Sequence, residues 1–266
     1  MTITRAVVAY RRRVVQRRLA GRRAKARYVH LRHVWLRKRR RVFVLIGAIL
    51  VLVAAAGSAY DRWWTGRFGF ISGMCWGVAG MAWFALRHSP PGFVDNWQQG
   101  AWGEEFTANE LAQLPHPEWE AVHDLRDGNG NVDHVLFGPA GVFLLDSKKY
   151  AGTLRVDGDE IVVTNELDPS VAYRDRSMLR AVRGQAARLN AELRARSGRS
   201  AWVEALVVVW GDFPERIHVG DRVTVIHGRE LVGWLKTRPQ RGATASELAE
   251  HLRPGRHRRP ARVTGG

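Results

Sequence analysis

Two aspartates and a lysine in NVDHVLFGPAGVFLLDSKK, residues 131–149, have the types and spacing for phosphate chemistry. Two apolar runs flank GPAG, a turn carrying glycine and proline, which predicts a β-hairpin with a four-residue loop, Gly138 to Gly141. In that register Phe137 faces Val142 and Asp133 faces Asp146. Directly opposed residues hold their Cβ atoms roughly 4.5–5.5 Å apart on one face. Lys148 follows Asp146 by two residues and shares its face. Opposed carboxylates repel, so the pair calls for a cation, a shared proton or water. Mg²⁺ is held by one or two carboxylates plus substrate phosphates. Lys148 can neutralise charge on a phosphoryl transition state or orient a water. The plainer alternative is a solvated strand end with an ordinary salt bridge.

Several elements must position this hairpin. Residues 96–114, NWQQGAWGEEFTANELAQL, read as a helix, with Gly100 and Gly103 each costing about 1 kcal/mol against alanine. Such a cost points to close approach to another backbone. Glu104 lies one turn from Gly100, and its plain alternative is a solvent-facing pair with Glu105. WEAVHDL, residues 119–125, reads as a strand and RDGNGN as a turn. YAGTLRVDGDEIVV reads as a second hairpin, in which Asp157, Asp159 and Glu160 are turn residues. Asp168 to Ser197 reads as one long helix with an apolar stripe at Leu179, Val182, Ala186, Leu189 and Leu193, ended by Gly198. Its arginines line other faces, either solvated or in contact with phosphate. WVEALVVVW, residues 202–210, has the continuous apolar content of a buried central strand. Residues 223–227 give a further strand and residues 229–236 a short helix.

Before this domain the composition changes twice. The formal net charge of +17 is concentrated in residues 1–41, which hold sixteen Lys or Arg and no acid. The rest is near balance, 26 basic against 25 acidic residues. Two uncharged apolar runs follow, residues 42–60 and 68–86, each near the ~20 residues needed to cross a bilayer as a helix. DRWWTGR joins them, with two tryptophans suited to a membrane interface. The expectation is a transmembrane helical hairpin over residues 42–86. The basic region ahead of it is too long for a signal peptide, and a second apolar run follows. The positive-inside rule puts both termini in the cytoplasm of a plasma membrane, with DRWWTGR outside. The basic head suits anionic lipid headgroups, at about 1 kcal/mol per charge near the surface, with nucleic acid as the alternative ligand. Residues 87–95 form a linker in which Pro90 and Pro91 stop the second helix. Residues 239–266 read as a basic, mostly disordered tail, apart from a helical turn or two at SELAEHL.

Other chemistries lack their residues. GPAG has no GK[ST] ending, none of the ten histidines sits in HExxH, and no serine lies in a nucleophile elbow. The single cysteine, Cys75, excludes an intrachain disulfide and a cysteine-rich zinc site, and reads as lipid-facing or packed. His134 points to the strand face opposite Asp133 and reads as packed or hydrogen-bonded.

Three pieces in order, GAWGEE at 100–105, NVDHVLFGPAGVFLLDSKKYAG at 131–152 and RGQAARL at 183–189, carry a family resemblance. Residues from about Gln98 to Trp234 resemble the NERD, nuclease-related, domain of the PD-(D/E)XK nuclease-like superfamily. The resemblance implies an α/β fold, restriction-endonuclease-like, with a central mixed β-sheet flanked by helices. On this chain that domain spans residues 96–238 and is preceded by two transmembrane helices. The resemblance implies a site of Glu104, Asp133, Asp146 and Lys148, with Gln185 on the following helix as a positioning residue. Asp146 stands where glutamate is common, which the superfamily pattern allows. Mg²⁺ or Mn²⁺ would be held by Asp133 and Asp146, with Glu104 ligating directly or through water. The implied activity is metal-dependent hydrolysis of nucleic-acid phosphodiesters, with DNA ahead of RNA. The alternative is a non-catalytic, membrane-tethered module that keeps the fold and binds nucleic acid or protein.

Overall fold

The computed structural model describes residues 20–65, 69–127, 130–165, 168, 170–198, 202–241 and 248–249. The start of the basic head, part of the DRWWTGR link, the tip of the RDGNGN turn and most of the tail lie outside these residues. The chain divides into two compact units, residues 24–98 and residues 99–266 together with those before residue 24.

Helix α1 (Arg22–Lys38), whose first two residues belong to the second unit, leads into α2 (Arg40–Thr65), and α3 (Phe70–His88) follows. Helix α2 runs through the DRWW segment, where a polar link was expected. The reason is Asp61, which turns inward at 2% exposure. Its Oδ2 accepts hydrogen bonds from the Gly69 and Ser72 backbone N–H groups at 2.6 and 3.2 Å, and from Ser72 Oγ at 2.7 Å. A carboxylate there satisfies N–H groups that a helix start leaves open and complements its dipole. Trp76 Nε1 donates to Ser58 Oγ at 3.0 Å, and Gly57 leaves room for the half-buried Cys75. Large apolar side chains of both helices face outward, among them Leu45, Leu52, Met81 and Phe84. One described helix, over Arg40–Trp64, is long and apolar enough to cross a membrane, with mean hydropathy 2.6. The expectation of two spans is thus met by one candidate, because glycines, tryptophans and the terminal Arg87–His88 dilute α3.

The second unit is an α/β domain around an eight-stranded mixed sheet. Helix α4 (Gly92–Leu111), which begins in the first unit, is followed by β1 (Glu120–Asp127), β2 (Gly130–Gly138), β3 (Gly141–Asp157), β4 (Glu160–Thr164) and β5 (Ala172–Asp175). Then come α5 (Met178–Ser197), β6 (Val203–Asp212), β7 (Ile217–Val219), β8 (Val223–His227) and α6 (Leu231–Thr237). The order is β1-β2-β3-β6-β8-β7, with β4 beside β3 and β5 beside β4. The β3–β6 and β6–β8 pairs are parallel and the others antiparallel.

Strand alternation splits the core into two layers. Val135, Phe137, Val142, Leu144 and Val207 face the stripe of α5 formed by Leu179, Val182, Ala186, Leu189 and Leu193. Leu136, Phe143, Leu145, Leu206 and Val208 face the other way, toward Leu111, Leu231 and Leu235. Each such fully buried side chain contributes roughly 1.5–3 kcal/mol relative to exposure. Leu248 and Ala249 are helical and buried in the α5 layer, so the SELAEHL segment packs where the described residues reach it.

Three expectations are corrected. Strand β3 is one continuous 17-residue strand that serves as an arm of both hairpins, where two separate arms were expected. It bends where its register against β6 shifts between Lys149 and Thr153. Gly152 permits the bend with φ +128°; a Cβ there would lie 2.4 Å from the Thr164 carbonyl oxygen. Helix α5 starts at Met178 rather than near Asp168, because Ala172–Asp175 pairs as an edge strand with β4. Arg174 and Arg176 therefore lie outside that helix and pair with Glu160, while Arg183 makes two bonds, 3.0 and 2.6 Å, to Asp159. Those ion pairs assign these arginines to holding the β3–β4 turn.

Candidate functional site

The hairpin register is the one the sequence predicts: Gly138 faces Gly141, Phe137 faces Val142, and the pairs run to His134–Leu145. The turn proper is only Pro139–Ala140, with the two glycines as its closing pair. The next pair in register would be Asp133–Asp146, and there the β2–β3 ladder stops. On the other side of β2 the pairs run His123–His134 and then Leu125–Val132, passing over Asp124 opposite Asp133. Asp124 takes φ +56°. Three neighbouring strands thus carry an aspartate at the same level, and backbone pairing lapses at that level.

Lys148 Nζ lies 2.5 Å from Asp146 Oδ2, as two residues on one strand face should allow. Asp133 Oδ2 accepts from the Ser147 backbone N–H at 2.9 Å. Glu104 comes from α4, which sits down on β3 at Gly103, where a Cβ would be 3.5 Å from the Lys149 backbone nitrogen. Gly100, by contrast, faces open space. Glu104 Oε2 accepts from the Gly21 backbone N–H at 2.9 Å. Two residues on, Arg23 reaches Asp124 Oδ1 with Nε at 3.2 Å and Asn131 Oδ1 with Nη1 at 2.6 Å. Gln185 Nε2 lies 3.4 Å from the Asn131 carbonyl oxygen, at the start of β2. Lys149 leaves the site, donating to Gln99 Oε1 at 2.5 Å and lying over the Trp102 ring.

The electrostatics are those of crowded acids. Burial pushes the Glu104 carboxyl up to about 7, against the Gly21 N–H that lowers it, and Asp124 adds to the rise. Burial and then the charges of Asp146 and Glu104 hold Asp133 above the ordinary carboxylate range. For Lys148 burial acts downward, but Asp146 and Asp133 outweigh it and hold the ammonium above its usual pKa. The Tyr150 hydroxyl beside them is also raised, chiefly by burial, and donates to Met178 Sδ at 3.3 Å.

The donor set suits a hard divalent cation: all oxygens, all carboxylates, with repulsion that such an ion relieves. Among the described residues, however, no three His, Cys, Asp or Glu side chains converge closely enough to hold an ion as they stand. The reason is visible in the contacts. Each carboxylate has its own partner, Gly21 for Glu104, Arg23 for Asp124, Ser147 for Asp133 and Lys148 for Asp146. Asp124 is the site residue that the motif reading missed. Extending the β1–β2 register from Asp127–Gly130 places it beside Asp133.

No curated protein and no solved structure matches the chain. Residues 99–210 match the family model of NERD, the nuclease-related domain, so this stretch, from α4 through most of β6, carries a nuclease-related fold.

Proposed function

We propose that this domain is a metal-dependent nuclease that hydrolyses nucleic-acid phosphodiesters, DNA or RNA, while tethered to a membrane. The observation behind the proposal is the level row of Asp124, Asp133 and Asp146, with Lys148 beside it, at a break in the sheet. Asp133 and Asp146 would hold Mg²⁺ or Mn²⁺, and Glu104 would join them directly or through water. When bound, such an ion supplies a water of lowered pKa and a Lewis acid for the phosphoryl oxygen. Lys148, kept charged by Asp146 and Asp133, offers its ammonium to the scissile phosphate. Gln185 keeps β2 in place through Asn131.

Mn²⁺ binding by the full-length chain tests the reading, and its pH dependence has a definite sign. Ligating carboxylates must be deprotonated, so binding releases protons. With Glu104 raised to about 7 and Asp133 raised as well, affinity should climb from about pH 6 to about pH 8. Calorimetry in buffers of different ionisation enthalpy reads both quantities. Affinity flat across that range would remove Glu104 from the ligand set.

One observation favours a second reading, a membrane-tethered module that binds nucleic acid or protein without cleaving. Glu104 is engaged by Gly21, and the carboxylates are spread over separate partners.

For the tether, we propose that α2 and α3 both cross the plasma membrane and that both termini are cytoplasmic. Support comes from the outward apolar side chains of both helices and the sixteen positive residues before Val42, which would meet anionic headgroups. In a Cys75→Ser background, an impermeant thiol reagent on intact cells should label Thr65→Cys and spare Arg155→Cys. Labelling of Arg155→Cys alone would reverse the topology.

A further inference from the structure

On the sheet face opposite the carboxylates lies a buried chain of polar side chains whose direction is fixed atom by atom. Thr107 Oγ1 donates to the Gly103 carbonyl oxygen at 3.0 Å, which commits its one proton. Thr107 Oγ1 must then accept, and it does so from Trp210 Nε1 at 2.9 Å and from Ser147 Oγ at 2.8 Å. With its own proton given away, Ser147 Oγ accepts from His134 Nε2 at 3.1 Å. His134 Nδ1 is therefore the acceptor for His123 Nδ1, 2.6 Å away. Two ring nitrogens this close require one of them to accept, and a His134 ring that gives its one N–H from Nε2 has its Nδ1 free to do so. Thr107, His123, His134 and Ser147 are all buried, so an unmade bond anywhere in this chain would cost a desolvated polar group.

Four members of the chain are sequence neighbours of site residues. Gly103 precedes Glu104, His123 precedes Asp124, His134 follows Asp133, and Ser147 lies between Asp146 and Lys148. Adjacent strand residues point to opposite faces, so the chain is the reverse side of the acidic row. Ser147 serves both sides, since its backbone N–H holds Asp133 Oδ2 while its hydroxyl joins the chain.

We infer that Thr107, Ser147 and His134 are positioning residues, whose one-directional hydrogen-bond chain sets α4, β2 and β3 at the level that brings Glu104, Asp133 and Asp146 together. The inference rests on the metal-dependent reading of the site. Groups one step removed from a metal commonly change its affinity by about 10- to 100-fold.

The test uses the full-length chain in detergent, with Mn²⁺ as probe. Thr107→Val keeps the shape and removes the hydroxyl; Thr107→Ser restores it. Thr107→Val should weaken Mn²⁺ binding about 10-fold or more, and Thr107→Ser should return it to within about threefold. Ser147→Ala should behave as Thr107→Val does, and carries the test if the valine variant fails to fold. ¹⁵N spectra of labelled histidine should show His134 as the Nε2–H tautomer in the wild type and Thr107→Ser. In Thr107→Val Ser147 loses its acceptor and is free to donate back, so a mixed tautomer is expected. Wild-type affinity in Thr107→Val and Ser147→Ala overturns the inference. So does a Thr107→Ser variant as weak as Thr107→Val, which would point to packing alone. If the wild type binds no Mn²⁺, the metal-dependent reading falls and the tautomer decides: an unchanged His134 in Thr107→Val overturns the chain as well.

Discussion

Asp146→Asn is expected to weaken Mn²⁺ binding by more than about 100-fold, beyond the loss usual for a group one step removed from a metal, and to bring cleavage to background. Asparagine keeps the shape of the side chain and removes the charge that Lys148 and any bound cation share. The fold should survive, because Asp146 sits where the β2–β3 ladder has already ended and contributes nothing to either core layer. Its β6 partner by register is Val207, and that backbone pairing does not depend on the side chain. Titration calorimetry on the full-length chain reads the binding loss and circular dichroism the fold. Mn²⁺ affinity unchanged in Asp146→Asn would place any ion elsewhere.

Lys148→Ala separates chemistry from binding. The ammonium meets Asp146 and lies within electrostatic reach of Asp133, yet it cannot itself ligate a cation. Removing it should cut the cleavage rate about 100-fold or more, the order expected for one preorganised electrostatic group. Mn²⁺ affinity should hold or rise, because a competing positive charge leaves the carboxylates. Nucleic-acid binding should change little, since one phosphate contact is a small share of the total. Arg155→Ala, exposed and further along the same strand, is the charge control. Lys149 is unsuited to that role because it packs onto α4 through Gln99 and Trp102. Equal cleavage by Lys148→Ala and Arg155→Ala would take Lys148 out of the mechanism.

The hairpin was legible because its signals are local. Gly138 and Gly141 fix the closing pair, apolar runs fix the faces, and the register of Asp133, Asp146 and Lys148 follows from counting. The central strand Val203–Asp212 and the α5 stripe were legible for the same reason, a periodicity carried by consecutive residues. What escaped was set by contacts distant in sequence. Glu104 meets Gly21 across 83 positions, and Thr107 meets Trp210 across 103. Strand β5 escaped because its four residues are mostly exposed and show no alternation; only pairing with β4 makes them a strand. His134 was placed on the right face, but its link to His123 depends on the β1–β2 register. Asp124 was hidden by a lapse in that same ladder.

The most direct test of the central claim is cleavage of defined single- and double-stranded DNA and RNA by the purified full-length chain. The assay runs with Mg²⁺ or Mn²⁺, with EDTA, and with Asp146→Asn as the protein control. The account predicts shortened product with the divalent ion, none with EDTA and none with Asp146→Asn. Intact substrate under every metal condition, with nucleic acid still bound, would contradict it and leave the non-cleaving module as the function of this domain.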